Sequence, residues 1–443
     1  QRTTMKTQII KFKNGATLIY KRRKIFNVTS LCAGFYAGHN YNGGQWGLPH
    51  LLEHMMMKQT KNRSQEQVIE DKTKITFLNA FTSHDFLMVN FTESNRRADK
   101  CFEFASDCLF NTAFDEERFK NEKKVVLEEK KQKQSESTHD FDFQSYMYIH
   151  EHKELDPDFI FGTKEMLDSY TIEDLENFRK KNIVADKFIL TICTSLSKRK
   201  VLKLVKKYFI DNLPLQESPS EILPPLSDNI EIDQSIKTYQ TQDNDYKVRV
   251  YFSFESEIDE FRTNPCMRFI SRPFRSISKM FYQEARRLGL IYSGYVIPDY
   301  SSLATKNAML VHFSTSKYEN ISKIFDLLNQ TIVSLKNGSF SQEYLDQCKD
   351  NAINDLDNEK YSKYSETCSL NLYTYLERGK VSFPRKKTKI KSIEKVTLVD
   401  INNCINRVFD KNNKLNIFMQ GNFEGLKVPT IEEYKEQIYK SIE

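Results

Sequence analysis

The stretch Gly47-Leu48-Pro49-His50-Leu51-Leu52-Glu53-His54-Met55-Met56-Met57 decides how the rest of the chain is interpreted. Proline is favoured in the first turn of a helix, so we expect a helix to begin near Pro49. Residues at i, i+3 and i+4 share one helix face, which brings His50, Glu53 and His54 together. Two imidazoles one turn apart can bind one zinc ion, and a carboxylate beside them can take a proton from its bound water. The order His-x-x-Glu-His is the inverted form of the common zinc-peptidase motif.

A second helix, predicted from Asp115 to about Lys131, offers the third protein ligand that a zinc peptidase needs. Residues at 3-4-3 spacing form a partly apolar stripe that should face inward: Phe119, Glu122, Val126 and Glu129. Two inward carboxylates are costly to bury unless they are paired or bound to a metal. Glu128 belongs to a different stripe, so we expect Glu129 to be the ligand and Glu122, two turns earlier, to orient a ligand or the helix. The alternative is an exposed helix whose acids lie at the surface.

The composition excludes several classes of protein. Hydrophobic residues make up 39% of the 443 residues, which is enough for buried cores, and the length suggests two to four domains of roughly 100–200 residues. The net charge of +6 comes from 66 basic and 60 acidic residues, an excess too small to indicate a nucleic-acid binder. No apolar run approaches the ~20 residues that cross a bilayer, so no membrane span is predicted.

The cysteines and the N-terminus bear on the compartment. The eight cysteines form no Cys-x-x-Cys pair, which argues against a cysteine zinc site and for free, mostly buried thiols in a reducing compartment. The first residues, Gln1-Arg2-Thr3-Thr4-Met5, contain no apolar signal core. We therefore predict a cytoplasmic protein, with a mitochondrion-like organelle after removal of a targeting peptide as the alternative.

A polar, proline-rich stretch at residues 217–228 predicts a linker between an N-terminal domain, 1–216, and a C-terminal domain, 229–443. The halves look like copies, because similar strand and helix patterns recur at a nearly constant separation along the chain. Three such pairs are Phe35 and Phe254, Phe91 and Phe313, and Phe114 and Phe340. We predict an α+β fold of two homologous domains, each a largely antiparallel sheet packed with helices.

Two stretches of the first half resemble the pitrilysin/insulinase family of inverzincin peptidases. They are His50-Leu51-Leu52-Glu53-His54 and Phe119-Lys120-Asn121-Glu122-Lys123-Lys124-Val125-Val126-Leu127-Glu128-Glu129. The family's third ligand is a glutamate well past the second histidine, and here Glu129 follows His54 at the spacing typical of the family. The chain is most similar to the small-subunit members, such as mitochondrial processing peptidase subunits and their bacterial relatives.

The resemblance implies a role for each residue of the motif. His50, His54 and Glu129 would bind one Zn²⁺ per chain, Glu53 would be the general base, and Glu122 would be its supporting acid. All five residues lie in the N-terminal domain, which would therefore be the catalytic, zinc-binding one.

The resemblance also implies contacts with a peptide substrate. The segment Asn79-Ala80-Phe81-Thr82-Ser83 is similar to the edge strand with which the family pairs the substrate backbone, so Asn79, Ala80 and Phe81 would bind substrate. An arginine and a tyrosine from the second half usually steady the substrate carbonyl and the oxyanion. Here these would be Arg286 and Tyr292.

The second half lacks the metal motif, so we expect it to be non-catalytic. At the separation of the pair Phe114 and Phe340, Glu122 falls on Cys348 and Glu129 on Asp355, and no His-x-x-Glu-His occurs there. In a second register the clamping arginine falls on Ala285, and a partner chain would then complete the site. Small members of the family close two chains into a chamber, so we predict a homodimer or a heterodimer with a related subunit.

These observations predict a zinc-dependent endopeptidase that cleaves peptides or unfolded segments inside a closed chamber, with Glu53 activating a zinc-bound water. The first alternative is a non-catalytic or partner-dependent subunit of a heterodimeric processing peptidase. The second is an α+β binding protein whose motifs are accidental.

Overall fold

The structure, a computed structural model, describes residues 7–135, 157–216, 219–222, 238–240, 245–255, 264–274, 280–300, 306–358, 364–378, 381, 386–426 and 430–442. The chain divides into two compact units. Among the described residues, the first unit contains those up to 134, those from 157 to 222, and those from 364 to 381. The second unit contains Ser135, those from 238 to 358, and those from 386 to 442.

The first unit is built on a mixed sheet in which six strands are described. They are β1 Gln8–Lys11, β2 Thr17–Arg22, β3 Val28–Phe35, β4 Phe77–Thr82, β5 Leu87–Ser94 and β6 Phe188–Thr194. Their order across the sheet is β1-β2-β6-β3-β5-β4. All neighbours are antiparallel except β2 and β6. The strand β4 therefore lies at one edge of the described sheet.

The second unit repeats this arrangement with five described strands. They are β7 Thr238–Gln240, β8 Tyr246–Glu255, β9 Ser293–Tyr300, β10 Lys306–Thr315 and β11 Lys414–Gly421. Their order is β7-β11-β8-β10-β9, with one parallel pair between β7 and β11. The series β11-β8-β10-β9 matches β6-β3-β5-β4 strand for strand. The predicted α+β fold of two similar domains with largely antiparallel sheets is confirmed.

Helices pack against both sheets. In chain order the described ones are α1 Leu48–Met56, α2 Gln65–Thr73, α3 Ala98–Phe110, α4 Glu116–Ser135, α5 Pro157–Phe161, α6 Lys164–Ser169, α7 Ile172–Asn182, α8 Lys198–Val205, α9 Pro265–Phe269, α10 Tyr282–Arg287, α11 Asn320–Lys336, α12 Gln342–Asn358, α13 Tyr364–Arg378, α14 Lys386–Glu394, α15 Leu398–Val408 and α16 Ile431–Ile442. A π-helical turn, Lys206–Ile210, extends α8. Short 3-10 turns lie at His39–Tyr41, Ala185–Lys187 and Arg272–Phe274.

The helix α13 belongs to the first unit although it follows most of the second unit in sequence. The central strand β3 is buried on both faces, because one face packs in the main core of the unit and the other lies under α13. Cys32 of β3 shares a buried cluster with Tyr364, Cys368 and Leu372 of α13. Residues 364–378 thus belong to the first unit, although a division of the chain at 217–228 would place them in the second. Of that predicted linker, the structure describes residues 219–222.

The cysteines are described throughout the chain. All eight cysteines are buried free thiols. Across the residues that the structure describes, no helix combines the length and the apolar character needed to cross a membrane.

Candidate metal centre

The helix α1 separates its apolar side chains from its polar ones. It begins after Gly47, whose φ of 79° lies in the left-handed region, and Pro49 occupies its first turn. The side chains that face the core are buried: Leu48, Leu51, Leu52 and Met55. His50, Glu53 and His54 retain 11%, 13% and 16% of their side-chain exposure, so this polar face lies at the edge of the core.

Three potential metal ligands converge between α1 and α4. The Oε2 atom of Glu129 lies 3.4 Å from His54 Nε2 and 3.8 Å from His50 Nε2. The ligand atoms of the three residues all lie within 4.8 Å of one another. Among the described residues, this is the one group of three or more His, Cys, Asp or Glu side chains close enough to share a metal ion.

The helix α4 presents Glu129 through the stripe expected from its spacing. Phe119, Glu122 and Val126 on that stripe are buried. Glu129, at the same stripe's C-terminal end, is partly exposed, with 35% of its side chain accessible. Glu128 is 70% exposed and therefore points away from the histidines.

A carboxylate holds His54 in place. The Nδ1–H of His54 donates to Glu122 Oε2 at 3.2 Å, and Glu122 Oε1 forms an ion pair with Lys58 Nζ at 2.8 Å. Burial alone would lower the pKa of His54, but the hydrogen bonds to Glu122 and Glu129 outweigh it and raise the pKa to about 9. Burial would likewise raise the pKa of Glu122, but His54 and Lys58 bring it below its usual value.

His50 is held differently. Its Nδ1 atom is buried and has no hydrogen-bond partner among the described residues. The ring of Phe161 instead packs edge to face on the imidazole, with centroids 5.2 Å apart. Burial, reinforced by the neighbouring His54, lowers the pKa of His50 to about 4, against the opposing field of Glu129. His50 is therefore a neutral imidazole at physiological pH.

Glu53 lies beside the three convergent residues. Its Oε2 atom is 3.9 Å from His50 Nε2 and accepts a hydrogen bond of 3.0 Å from the Thr82 hydroxyl. Burial raises the pKa of Glu53, and the nearby His54 and the Thr82 hydrogen bond only partly counteract it. A carboxylate with a raised pKa is a stronger base than an exposed one.

The strand β4 carries the three residues predicted to bind peptide. Asn79, Ala80 and Phe81 pair with Asn90, Val89 and Met88 of β5. Because successive side chains alternate between the two faces of a strand, Ala80 shares a face with Thr82, whereas Asn79 and Phe81 lie on the other. In the described sheet the other backbone edge of β4 has no strand partner, so its N–H and C=O groups can receive an added strand.

Arg286 and Tyr292 lie together in the second unit. The Arg286 guanidinium donates to the carbonyl oxygens of Ile291 and Tyr292, at 3.2 and 2.7 Å. The Tyr292 ring is 48% exposed, and its hydroxyl donates to a carboxylate oxygen of Asp245. Ala285 is fully buried in the core of the second unit. Of the two registers considered for the clamp, only the one with Arg286 offers an accessible cation.

Three residues that contact the site were not selected from the sequence. Thr82 lies within the segment taken as the substrate strand, but nothing in the sequence pointed its hydroxyl at Glu53. Lys58 lies one helical turn beyond His54, so helical spacing could have suggested its position. Phe161 is remote from His50 in sequence, and no local pattern connects the two.

The donor set fits a zinc ion. Two imidazole nitrogens and one carboxylate are a ligand set of catalytic zinc sites, which keep a fourth position open. Zinc requires neutral imidazoles. Burial already keeps His50 neutral, whereas His54, with its pKa raised to about 9, would release a proton when the metal binds. The two carboxylates around His54 favour positive charge at the point where the three ligands meet.

Comparison with known families supports this interpretation. Residues 34–152 match the family described as insulinase, peptidase family M16, and residues 169–352 match the peptidase M16 inactive domain. A probable mitochondrial-processing peptidase subunit beta from Schizosaccharomyces pombe is 27% identical over 46% of this chain and 45% of the relative. The chain thus spans about half the length of several curated relatives that it matches. An uncharacterized zinc protease from Rickettsia felis is 22% identical over 90% of this chain and 94% of the relative.

Solved structures share the fold. The periplasmic protease PqqL from Escherichia coli superposes with a TM-score of 0.79 at 14% identity, over 98% of this chain and 50% of that one. A protease from Helicobacter pylori gives a TM-score of 0.74 at 17% identity, over 94% of this chain and 99% of that one. At these identities the likeness establishes the two-unit architecture.

Proposed function

Because the chain belongs to the M16 (insulinase) family of peptidases, we propose that it is a zinc-dependent endopeptidase of the His-x-x-Glu-His type. The observation that carries the proposal is the convergence of His50 Nε2, His54 Nε2 and Glu129 Oε2. Bound zinc would polarise the scissile carbonyl and lower the pKa of the attacking water. Peptides or unfolded segments are the proposed substrates.

Glu53 is the proposed general base. Its position beside His50 allows it to take a proton from the water that attacks the carbonyl and to give that proton to the leaving amine. The raised pKa of the carboxyl suits both transfers, because a stronger base takes up a proton more readily and can still return it to the leaving amine. The Thr82 hydroxyl holds Oε2, the carboxylate oxygen that lies 3.9 Å from His50 Nε2, and so fixes the orientation of the proposed base.

The edge strand β4 is the proposed binding site for the substrate backbone. An extended peptide added to β4 would lie next to Thr82, whose side chain contacts Glu53, so the scissile bond would be near the base. Binding through main-chain hydrogen bonds supports limited sequence preference, because only alternate side chains meet a surface. Asn79, Ala80 and Phe81 would supply these backbone contacts.

The test combines metal analysis with peptide cleavage by the purified chain. We expect about one zinc per chain, and Glu53→Gln should lower kcat at least ~100-fold while zinc stays bound, because general acid–base groups contribute about 10²–10⁴-fold. Glu128→Gln is the matched control, since Glu128 lies on the exposed face of α4. A chain that binds no zinc, or a Glu53→Gln variant with wild-type kcat, would refute the assignment.

A second candidate is a subunit that requires a related partner. It is favoured by relatives named as beta subunits and by the match of residues 169–352 to an inactive domain. The Arg286 guanidinium already binds two backbone carbonyls, which leaves less of it for a substrate. In this candidate the chain still binds zinc, but the partner supplies the clamping arginine. The compartment of the chain stays a prediction in either case.

Arg286 and its neighbour distinguish the two candidates. If the chain is active alone, Arg286→Ala should raise KM at least ~10-fold, whereas Arg287→Ala should not, because Arg287 is 68% exposed and pairs with Glu284. Zinc-loaded chain that cleaves nothing until a related subunit is added would establish the second candidate instead.

A further inference from the structure

The two histidines of the candidate zinc site have unequal support. Metal-binding histidines usually donate the second ring nitrogen to a carboxylate, carbonyl or water, which fixes the ring. His54 follows this rule through Glu122. His50 does not, since its Nδ1 has no partner within the described part of the chain. Its orientation must therefore depend on packing, and Phe161 supplies that packing.

Phe161 belongs to a segment that we call the strap, residues 157–170, which comprises α5 and α6. The strap contacts the residues just before α1. The amide of Gly47 donates to the carbonyl of Phe159 at 3.3 Å, and the Tyr170 hydroxyl donates to the carbonyl of Trp46 at 2.7 Å. A Cβ on Gly47 would lie 2.4 Å from the Phe161 carbonyl oxygen, so only glycine permits this approach. The start of the histidine helix is thereby fixed to the strap.

The same strap is attached to the glutamate helix α4. Lys130, next to Glu129, is buried to 9% exposure and donates to the carbonyl of Gly162 at 2.8 Å. Its ammonium also forms an ion pair with Asp158. Two turns earlier, Lys123 donates to the carbonyl of Tyr170. Two lysines of α4 therefore hold the two ends of the strap.

We propose that the strap is a positioning element that sets the distance between His50 and Glu129, with Lys130 as its principal attachment. The strap would fix the positions of these two ligands, as the hydrogen bond to Glu122 and the ion pair of Glu122 with Lys58 fix the ring of His54. The inference rests on the proposed zinc site but not on peptide cleavage. The strap would act through the ligands, because Phe161 packs on His50 and Lys130 ties the strap to the helix that carries Glu129.

The energetics favour Lys130 as the point to test. A buried ammonium that loses its partners is costly, so the native arrangement holds Lys130, Asp158 and Gly162 together. Removing the ammonium would detach the C-terminal turns of α4 from the strap. The distance between Glu129 and His50 would then no longer be fixed. Partners of this kind typically change metal affinity about 10–100-fold when they are removed.

The experiment measures zinc affinity by competition with a chelator, and the absorption spectrum of the Co²⁺-substituted protein. We expect Lys130→Met to weaken zinc binding about 10–100-fold and to alter the Co²⁺ spectrum. Lys130→Arg should recover most of the affinity, because it keeps the charge. Lys131→Met is the matched control, since Lys131 is 70% exposed and pairs with the exposed Glu128.

Phe161→Leu provides a second variant that leaves all charges in place and should also weaken zinc binding, because it removes the ring that packs on His50. Folding of each variant is checked by circular dichroism. Folded Lys130→Met and Phe161→Leu proteins with wild-type zinc affinity and Co²⁺ spectrum would overturn the inference while leaving the proposed peptidase intact. A wild-type chain without zinc affinity would instead overturn the proposed function.

Discussion

The helices α4 and α12 occupy equivalent places in the two units, yet among the described residues only α4 contributes to a group of convergent side chains that could hold a metal ion. At the positions of Glu122 and Glu129, α12 carries Cys348 and Asp355. Cys348 is buried in the core of the second unit, whereas Asp355 is 78% exposed, with a carboxylate oxygen 4.0 Å from an Arg272 nitrogen. The same stripe thus carries Glu122 and Glu129 beside the histidines in one copy, and serves packing and surface charge in the other.

The helix α1 likewise has no equivalent with two histidines in the second unit, among the described residues. Between β3 and β4 the first unit has the helix α1 with its two histidines. Between the equivalent strands β8 and β9, the described helices are the short α9 and α10. The sequence after residue 228 contains a single histidine, His312, which lies on β10. The duplicated fold therefore does not determine function, which resides in a few side chains placed on it.

The largest difference between the two units should appear when the equivalent carboxylates Glu129 and Asp355 are removed in turn. Glu129→Ala should weaken zinc binding by at least ~100-fold, because loss of a ligand exceeds the ~10–100-fold cost of losing a supporting group. Asp355→Ala should leave zinc affinity unchanged, since Asp355 is a surface residue of the other unit. Chelator competition measures both. Equal losses in the two variants would mean that the site is not confined to α4.

The second pair of equivalent positions should separate metal affinity from stability. Glu122→Gln should weaken zinc binding about 10–100-fold, because the amide cannot stabilise His54 as a carboxylate does. Cys348→Ala should leave zinc affinity unchanged but destabilise the second unit by about 1 kcal/mol through a small cavity. Zinc titration and thermal unfolding report the two effects. A Glu122→Gln protein with wild-type affinity would show that Glu122 does not orient His54.

Much of the candidate site in the first unit could be predicted from local spacing. Helical periodicity placed His50, Glu53 and His54 on one face and separated Glu129 from Glu128, because the helical period is a property of the backbone alone. The nearly constant separation of similar segments along the chain indicated that the two units share one fold. These inferences needed no knowledge of tertiary contacts.

Contacts between distant segments could not be predicted in this way. The burial of β3 beneath α13 joins Cys32 to Cys368, and the strap joins Phe161 to His50. Both depend on how separate elements pack, for which a single sequence carries no periodic signal. The sequence therefore did not indicate that residues 364–378 belong to the first unit. It also did not indicate that Phe161 packs on His50, although it did suggest that Glu122 orients a ligand or the helix.

The lone histidine of the second half offers the smallest and last test, because it should affect stability and not metal. Burial, with Arg249 and Lys247 on β8, lowers the pKa of His312 to about 3, while the Tyr295 ring stacks on it at 4.5 Å. The unfolded chain takes up this proton below about pH 6.5 and the native chain does not, so stability falls as pH decreases from about 6.5 towards 3.

Replacing His312 with glutamine should make the free energy of unfolding less dependent on pH below about 6.5. The slope should decrease by up to one proton, about 1.4 kcal/mol per pH unit, and zinc affinity at pH 7 should not change. The measurement is guanidinium unfolding of wild type and variant between pH 7 and pH 4, followed by circular dichroism. Parallel pH dependences would show that His312 is protonated in the native state. A change in zinc affinity would show that the second unit, despite its missing ligands, influences the site of the first.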